Sequence, residues 1–273
     1  MSKTREILLT NDDGFRARGI RVLAQLLRGY GNVTVVAPFE PQSGRSVALT
    51  LDRPLMIDRP LSEAAGDGLG SLRLYTLTGT PADCTKMGVN LLLHEGLEPD
   101  LLVSGINHGS NASAASVYSG TLGAAIEGTV YGIPSVGLSI DTHAEDPDFS
   151  GVLQYAPRIL DRVLEDGLPP QVYLNVNFPG IPAEAVRGIR LARQGAGRWV
   201  REFDHRTTLR GRHYFWMVGE FEDLENGDTT GTAFPADHQL LDAGYVTVVP
   251  HRVDTTDRAA LEQLREKWHF ERT

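Results

Sequence analysis

Cysteine is almost absent. Cys84 is the only one in 273 residues, so no internal disulfide can form and a reducing compartment, the cytoplasm, is expected. No apolar run approaches the roughly 20 residues that a membrane-spanning helix needs. The opening Met1-Ser2-Lys3-Thr4-Arg5 leads into a short apolar run with no small-residue cleavage site, so neither a signal peptide nor a membrane partner is expected. Positive charge is in deficit: 26 Lys and Arg stand against 35 Asp and Glu, a net charge of −9. That balance argues against a broad duplex nucleic-acid surface, which rests on many cationic contacts to phosphate. The phosphate-cradling Gly-x-x-x-x-Gly-Lys-Ser/Thr loop is missing, as is the Gly-x-Ser-x-Gly elbow of serine hydrolases. His94, His143, His205, His213, His238, His251 and His269 are scattered without the spacing of a zinc cluster. A small anionic substrate would need a local positive centre in so acidic a chain, and a bound cation supplies one.

What the chain does contain is a repeated alternation of short apolar runs and amphipathic stretches. Glu6–Thr10 reads as a strand, Gly19–Leu27 as a helix with apolar spacing at Ile20, Leu23, Ala24 and Leu27, and Val33–Ala37 as a β-branched strand stopped by Pro38. The pattern recurs: strand Leu72–Leu77, helix Pro81–Leu93, strand Leu101–Ser104, helix Ser119–Tyr131, strand Ser135–Ser139, helix Phe149–Glu165 and strand Val172–Val176. Such βαβ repeats build parallel sheets with right-handed crossovers. The expected fold class is therefore α/β: a Rossmann-like, doubly wound, mostly parallel sheet. From Ile189 to His251 the runs become short and Gly- and Arg-rich, with Arg212–Val218 and Tyr245–Val249 the clearest β signals, which reads as a hairpin-rich C-terminal arm. Asp257–Trp268 reads as a terminal amphipathic helix. The expected organisation is one structural domain: an α/β core over 1–188, an arm over 189–251 and a terminal helical segment over 252–273.

Ligands of open α/β sheets bind beyond the carboxyl ends of the strands, so the residues that follow each predicted strand are the candidates. They are Asn11-Asp12-Asp13-Gly14; Pro38 through Gly44, including Ser43; Thr78-Gly79-Thr80-Pro81; and Gly105-Ile106-Asn107-His108-Gly109-Ser110-Asn111 behind Ser104. Taken alone, Asp-Asp-Gly is a turn. Yet adjacent carboxylates at a strand end repel unless something neutralises them, and a hard divalent cation held by carboxylate, hydroxyl and amide oxygens does so. The amide oxygen of Asn107 is positioned to complete such a shell, and the glycines around it allow close backbone approach to a ligand. Ser119-Gly120-Thr121 opens a helix of small residues, and helix N-termini receive phosphate through free N–H groups. Thr80 before Pro81 offers a second such N-terminus. Asp12 and Asp13, with Asn107, are the candidate catalytic residues. Asn11, Gly44, Gly79, Thr80, Ser104, Gly105, Asn111, Ser119, Gly120 and Thr121 are the candidates for holding phosphate or substrate.

Several motifs, in order along the chain, resemble those of the SurE family of metal-dependent 5′(3′)-nucleotidases. They are N-D-D-G at 11–14, A-P-F-E-P-Q-S-G-R-S at 37–46, T-G-T-P-A-D-C at 78–84, S-G-I-N-H-G-S-N at 104–111 and Y-S-G-T-L-G-A-A-I-E-G at 118–128. L-N-V-N-F-P at 174–179 and G-Y-V-T-V-V-P at 244–250 are also similar. The resemblance implies an α/β phosphatase acting on nucleoside monophosphates, with one divalent metal ion per subunit, Mg²⁺ or Mn²⁺. By motif position, the ligands fall on Asp12, Asp13, Ser43 and Asn107. It also implies a homodimer or homotetramer joined through the C-terminal arm. A broader phosphomonoesterase or polyphosphatase remains an alternative, as does a non-catalytic nucleotide-binding module. An aspartyl-phosphate mechanism fits less well, because it calls for Asp-x-Asp rather than an adjacent pair. The chain departs from the family pattern at Arg201–Arg212, which is rich in Arg and His, and at Ala236-Asp237-His238.

Overall fold

A computed structural model describes residues 4–268 and 270. His269 and the ends of the expected first and last segments lie outside the described residues. The first half alternates strand and helix: β1 Arg5–Thr10, α1 Arg18–Leu27, β2 Gly31–Pro38, β3 Ile57–Glu63, β4 Leu72–Leu77, α2 Pro81–His94 and β5 Leu101–His108. The short α3 Ala115–Tyr118 then leads into α4 Gly120–Val130, β6 Ser135–Asp141, α5 Ser150–Asp166 and β7 Val172–Pro179. The C-terminal part comprises β8 Ile189–Leu191, β9 Gly197–Val200, β10 Phe203–Thr207, β11 His213–Met217, β12 Glu220–Asp223, α6 Asp237–Asp242, β13 Val246–Arg252 and α7 Arg258–Trp268.

Nine strands form one sheet in the order β3-β4-β2-β1-β5-β6-β7-β13-β8. From β4 to β7 every pairing is parallel. The chain winds outward from β1 through β2 to β4, then crosses back to β5 and winds the other way through β6 to β7. Neighbouring β1 and β5 therefore flank the topological switch point, where the loops part to leave a crevice. Alternation along β1 sends Ile7 and Leu9 to one face and Leu8 to the other. Ile7 and Leu9 pack with Ile20, Leu23 and Leu27 of α1 and with Val152 and Ile159 of α5. Leu8 packs with Cys84, Val89 and Leu92 of α2. The spacing read for α1 is correct: Ile20, Leu23, Ala24 and Leu27 are all buried. Cys84 is completely buried, and that burial pushes its thiol well above the ordinary range. It is a core residue rather than a nucleophile.

Strands at both ends of the sheet, β3 on one side and β13 with β8 on the other, differ from the sequence reading. Strand β3, antiparallel to β4 at the sheet edge, is polar and mostly exposed, so it gives no apolar signal. Tyr245–Val249, expected among the hairpins, belongs instead to β13 in the central sheet, antiparallel to β7 and parallel to β8. Its Val246, Val248 and Val249 are buried, the continuous apolar run of a strand covered on both sides. The hairpins proper lie between these sheet strands. Strand β9 pairs with β12 at the base of the arm and β10 with β11 at its tip, both antiparallel. Helix α7 buries none of its described residues.

Candidate metal centre

Asn11 shapes the turn after β1. Its side-chain amide donates to the Gly14 carbonyl at 3.0 Å, and Gly14 takes φ +90°, a conformation that favours glycine. This sharp exit directs Asp12 towards the first turn of α4. There Thr121 Oγ1 donates to Asp12 Oδ1 at 2.6 Å. The closeness of that approach explains Gly120: a Cβ there would lie 2.9 Å from Asp12 Cβ and 3.0 Å from its Oδ2. Ser119 caps the helix by accepting from the Leu122 N–H at 3.1 Å. The Asp12 carboxylate thus sits at a helix N-terminus, where negative charge is favoured. Even so, burial and then the charge of Asp13 push it up to about 6, against the opposing hydrogen bonds from Thr121. Asp13 is less buried. Its pKa is also raised by burial, offset by the His108 backbone N–H, which donates to Oδ2 at 3.1 Å.

Asn107 stands across the switch point, next to the His108 whose N–H meets Asp13. The β5–β6 register shifts between Ser104 and Asn107, a bulge of the kind that re-aims a side chain. Gly105 makes it possible, with φ +138° and no room for a Cβ, which would stand 2.3 Å from the Leu138 carbonyl oxygen. The Asn107 side-chain amide donates to the Gly109 carbonyl at 2.7 Å, which fixes the group. No hydrogen bond to the opposite atom, Oδ1, occurs among the described residues, so it remains a free acceptor oxygen. The loop carrying Ser43 and Gly44 spans the crevice, tethered at each end. Gln42 N donates to the Asp12 carbonyl at 2.7 Å and Ser46 N to the Tyr118 carbonyl at 3.0 Å. Ser43 itself is exposed at the loop tip.

Other candidates have structural tasks. The Thr121 hydroxyl proton is committed to Asp12. Thr80 Oγ1 donates to the Ala48 carbonyl at 2.6 Å and accepts from Asp83 N at 3.1 Å, forming a capping box for α2. Gly79 packs against Asp83, whose Oδ2 would be 2.9 Å from a Cβ there. Asn111 is turned inward, and its Nδ2 donates to Ser139 Oγ at 2.7 Å. Its backbone is clasped by Asn177 Oδ1, which accepts from Asn111 N at 2.8 Å, and by Asn175 Nδ2, which donates to the Asn111 carbonyl at 2.9 Å. The sequence reading missed Asn175 and Asn177 as supports. The signal was present: two asparagines on one face of a buried strand need partners.

The donor set can be tested against a hard cation. Among the described residues no group of three or more His, Cys, Asp or Glu could hold a metal, so a shell here must draw on hydroxyl and amide oxygens as well as Asp12 and Asp13. The free Asn107 Oδ1 fits that demand. So does Asn11 Oδ1, buried with no hydrogen-bond partner. Oxygens of this kind suit Mg²⁺ or Mn²⁺ better than zinc.

Fold and site together define an α/β protein whose oxygen-lined centre, built for a hard divalent cation, lies at the switch point of a doubly wound sheet. The chain belongs to the SurE family: the family described as "Survival protein SurE" matches residues 7–201. It is 41% identical over 264 residues to "5′-nucleotidase SurE" of Cytophaga hutchinsonii, covering 97% of each chain. A protein of the same name from Flavobacterium psychrophilum is 41% identical over 258 residues, 94% of this chain and 95% of that one. The crystal structure of SurE protein from Aquifex aeolicus is similar with a TM-score of 0.77 and 32% identity, over 96% of this chain and 98% of that one.

Proposed function

We propose that this chain is a divalent-metal-dependent 5′-nucleotidase that hydrolyses nucleoside monophosphates to nucleoside and phosphate. The observation that carries this reading is that the N–H of His108, the neighbour of Asn107, donates to the Asp13 carboxylate, which brings the Asp12–Asp13 pair and the end of β5 to one crevice. The activity named for relatives that match nearly the whole chain supports it. One cation per subunit, Mg²⁺ or Mn²⁺, is assigned to Asp12, Asp13, Ser43 and Asn107. When bound, it supplies Lewis-acid polarisation of the phosphoryl group. Thr121 fixes the Asp12 carboxylate, and the His108 N–H fixes that of Asp13. Asp13, the more exposed of the two, is the carboxylate that solvent reaches, and it orients the attacking water. The Ser119 hydroxyl, at the N-terminus of α4, donates to an equatorial phosphoryl oxygen. Phosphoryl transfer asks mainly for such positioning and charge stabilisation.

The location is cytoplasmic, in keeping with the single buried thiol. No helix among the described residues is long and apolar enough to cross a membrane. The assembly is a homodimer or homotetramer joined through the arm, whose tip exposes Phe203, Phe215, Trp216 and Met217, an apolar group of the kind that marks an interface. A phosphate-release screen tests the activity, with 5′-AMP, 3′-AMP, phenyl phosphate and polyphosphate as substrates and Mg²⁺, Mn²⁺ and EDTA arms. Release from 5′-AMP that EDTA abolishes is expected. Release that persists in EDTA, or none from any nucleotide, contradicts the reading.

A further inference from the structure

The histidines are scattered along the sequence, but the arm brings two of them together. His205 lies on β10 and His213 on β11, eight positions apart. The antiparallel register sets His205 opposite Phe215 and Thr207 opposite His213. Alternation therefore places all four on one face of the ribbon, the two histidines diagonal to each other. His205 Nε2 stands 2.8 Å from His213 Nδ1. Phe215 stacks on the His205 ring, with centroids 4.8 Å apart at 21°, and the two imidazoles are 4.9 Å apart at 35°. The stack holds both rings with one nitrogen of each turned to the other. Neither imidazole forms a salt bridge among the described residues, and the neighbouring Asp204 is paired with Arg206. Two metal–nitrogen bonds of about 2.0–2.1 Å set their nitrogens about 2.8–3.0 Å apart at a right angle, and about 3.3–3.4 Å apart at the tetrahedral angle. The separation found here is that of the right angle, which belongs to tetragonal cations such as Ni²⁺ and Cu²⁺ rather than to tetrahedral zinc.

We infer that His205 and His213 form a second metal site, a chelating clip for a late first-row divalent cation, Ni²⁺ or Cu²⁺, which pins β10 to β11 at the outer end of the arm. Imidazole nitrogen suits such cations, whereas the oxygens around Asp12 suit Mg²⁺ or Mn²⁺, so the two sites select different metals. Each histidine binds as the neutral ring. The proton that bridges the two nitrogens moves to the far nitrogen of the ring that carries it, so the cation enters with no net change in protons. Both rings are exposed, and water fills the remaining positions. A two-stranded ribbon is marginal by itself, and a metal clip across its turn end takes freedom from the open chain. His205 falls within Arg201–Arg212, where the chain departs from the family pattern, and His213 follows directly, so the clip is a property of this chain. It goes beyond the nucleotidase reading and does not depend on it.

The test is equilibrium dialysis of Ni²⁺ against the full chain in excess Mg²⁺, with His205→Ala, His213→Ala and Asp12→Asn beside the wild type and circular dichroism verifying that each is folded. The wild type is expected to bind one Ni²⁺ that Asp12→Asn retains. Each histidine variant is expected to bind it on the order of a hundred-fold more weakly, the scale of losing one point of a two-point attachment. With Cu²⁺, electron paramagnetic resonance should show two imidazole nitrogens on one ion in the wild type, a signature absent from both histidine variants. Equal Ni²⁺ binding by the wild type and both histidine variants, or a Ni²⁺ lost in Asp12→Asn and kept in the histidine variants, overturns the site. Amide hydrogen exchange along β10 and β11 should slow in Ni²⁺ in the wild type and stay unchanged in His205→Ala. Exchange that Ni²⁺ leaves unchanged in the wild type overturns the pinning. Neither readout involves phosphate release, so failure here is distinguishable from failure of the nucleotidase reading.

Discussion

Asp12 is held in a place that does not suit an isolated carboxylate. Burial and Asp13 push its pKa up to about 6, so without a cation the pair costs the fold stability at neutral pH. A ligand that binds only the folded state adds about 2.7 kcal/mol at 100 times its dissociation constant. Saturating Mn²⁺ should therefore raise the melting temperature of the wild type by several degrees and leave that of Asp12→Asn almost unmoved. Metal-free Asp12→Asn should be at least as stable as the metal-free wild type. Differential scanning calorimetry with Mn²⁺ and with EDTA reads both effects. An undiminished Mn²⁺ shift in the variant contradicts the ligand assignment. Gly120 belongs to the same scale. A methyl group there would meet Asp12 Cβ at 2.9 Å and Oδ2 at 3.0 Å, so Gly120→Ala must displace the carboxylate. Turnover should fall at least about ten-fold, while helix propensity offsets part of any loss of stability. Steady-state kinetics beside a melting curve separate the two effects, and a variant with normal kcat/KM would show that Asp12 tolerates the shift.

At the scale of elements, β7 supports the loop that follows Asn107. Asn175 and Asn177 clasp the backbone of Asn111, and Asn177 Nδ2 donates to Asn175 Oδ1 at 3.0 Å. Asn175→Leu leaves the buried Asn111 carbonyl without that donor, at a cost of about 1–3 kcal/mol. Urea unfolding should show that loss together with a fall in kcat. Helix α6 offers a pH-dependent counterpart. Burial opposes charge on His238, but Asp237 and Asp223 outweigh it and hold the pKa above the ordinary 6.5. Nε2 lies 3.0 Å from Asp223 Oδ1 and Nδ1 lies 3.6 Å from Asp237 Oδ1. A folded-state pKa raised in this way gives stability that is complete below about 6.5 and is lost as pH climbs through the raised value. Hydrogen exchange in the region of β12 and α6 should therefore be faster at pH 8 than at pH 6 after correction for the intrinsic rate, and the difference should vanish in His238→Phe.

Local pattern explains what the sequence disclosed of these elements. The helical spacing of Ile20, Leu23 and Leu27, the helix opened by Ser119-Gly120-Thr121 and the β-branched run of β2 are short-range features, and each stands where the sequence places it. Strand β3 escaped because its edge position leaves it polar. Strand β13 was assigned to the wrong neighbours because a strand's partner is chosen by burial far along the chain, here against β7 some 70 residues earlier. The site follows the same division. The oxygens that follow the strands were legible, but their pairings join distant segments: Thr121 to Asp12 across 109 positions and His108 to Asp13 across 95. Likewise the Thr121 hydroxyl is paired with Asp12, that of Thr80 with the Ala48 carbonyl, and the Asn111 amide with Ser139.

The whole molecule combines a closed α/β body with an arm whose apolar tip has no counterpart within the described residues of its own subunit. Phe215 and Trp216 are 58% and 60% exposed, on a two-stranded ribbon that is marginal by itself. The homo-oligomer proposed above would cover that surface with a second copy. Phe215→Asp combined with Trp216→Asp should shift the particle mass in light scattering from an oligomer towards about 30 kDa, the 29.8 kDa of one chain. An unchanged oligomer mass would place the interface elsewhere.

The central claim is that Asp12 and its neighbours hold the cation on which phosphoryl hydrolysis depends. Its most direct measurement is phosphate release from 5′-AMP in Mn²⁺ by the wild type and by Asp12→Asn, with circular dichroism verifying that both are folded. The account predicts wild-type turnover abolished by EDTA and a variant whose kcat/KM is lower by on the order of a thousand-fold or more, with an unchanged spectrum. A folded Asp12→Asn that turns over AMP at close to the wild-type rate would contradict it.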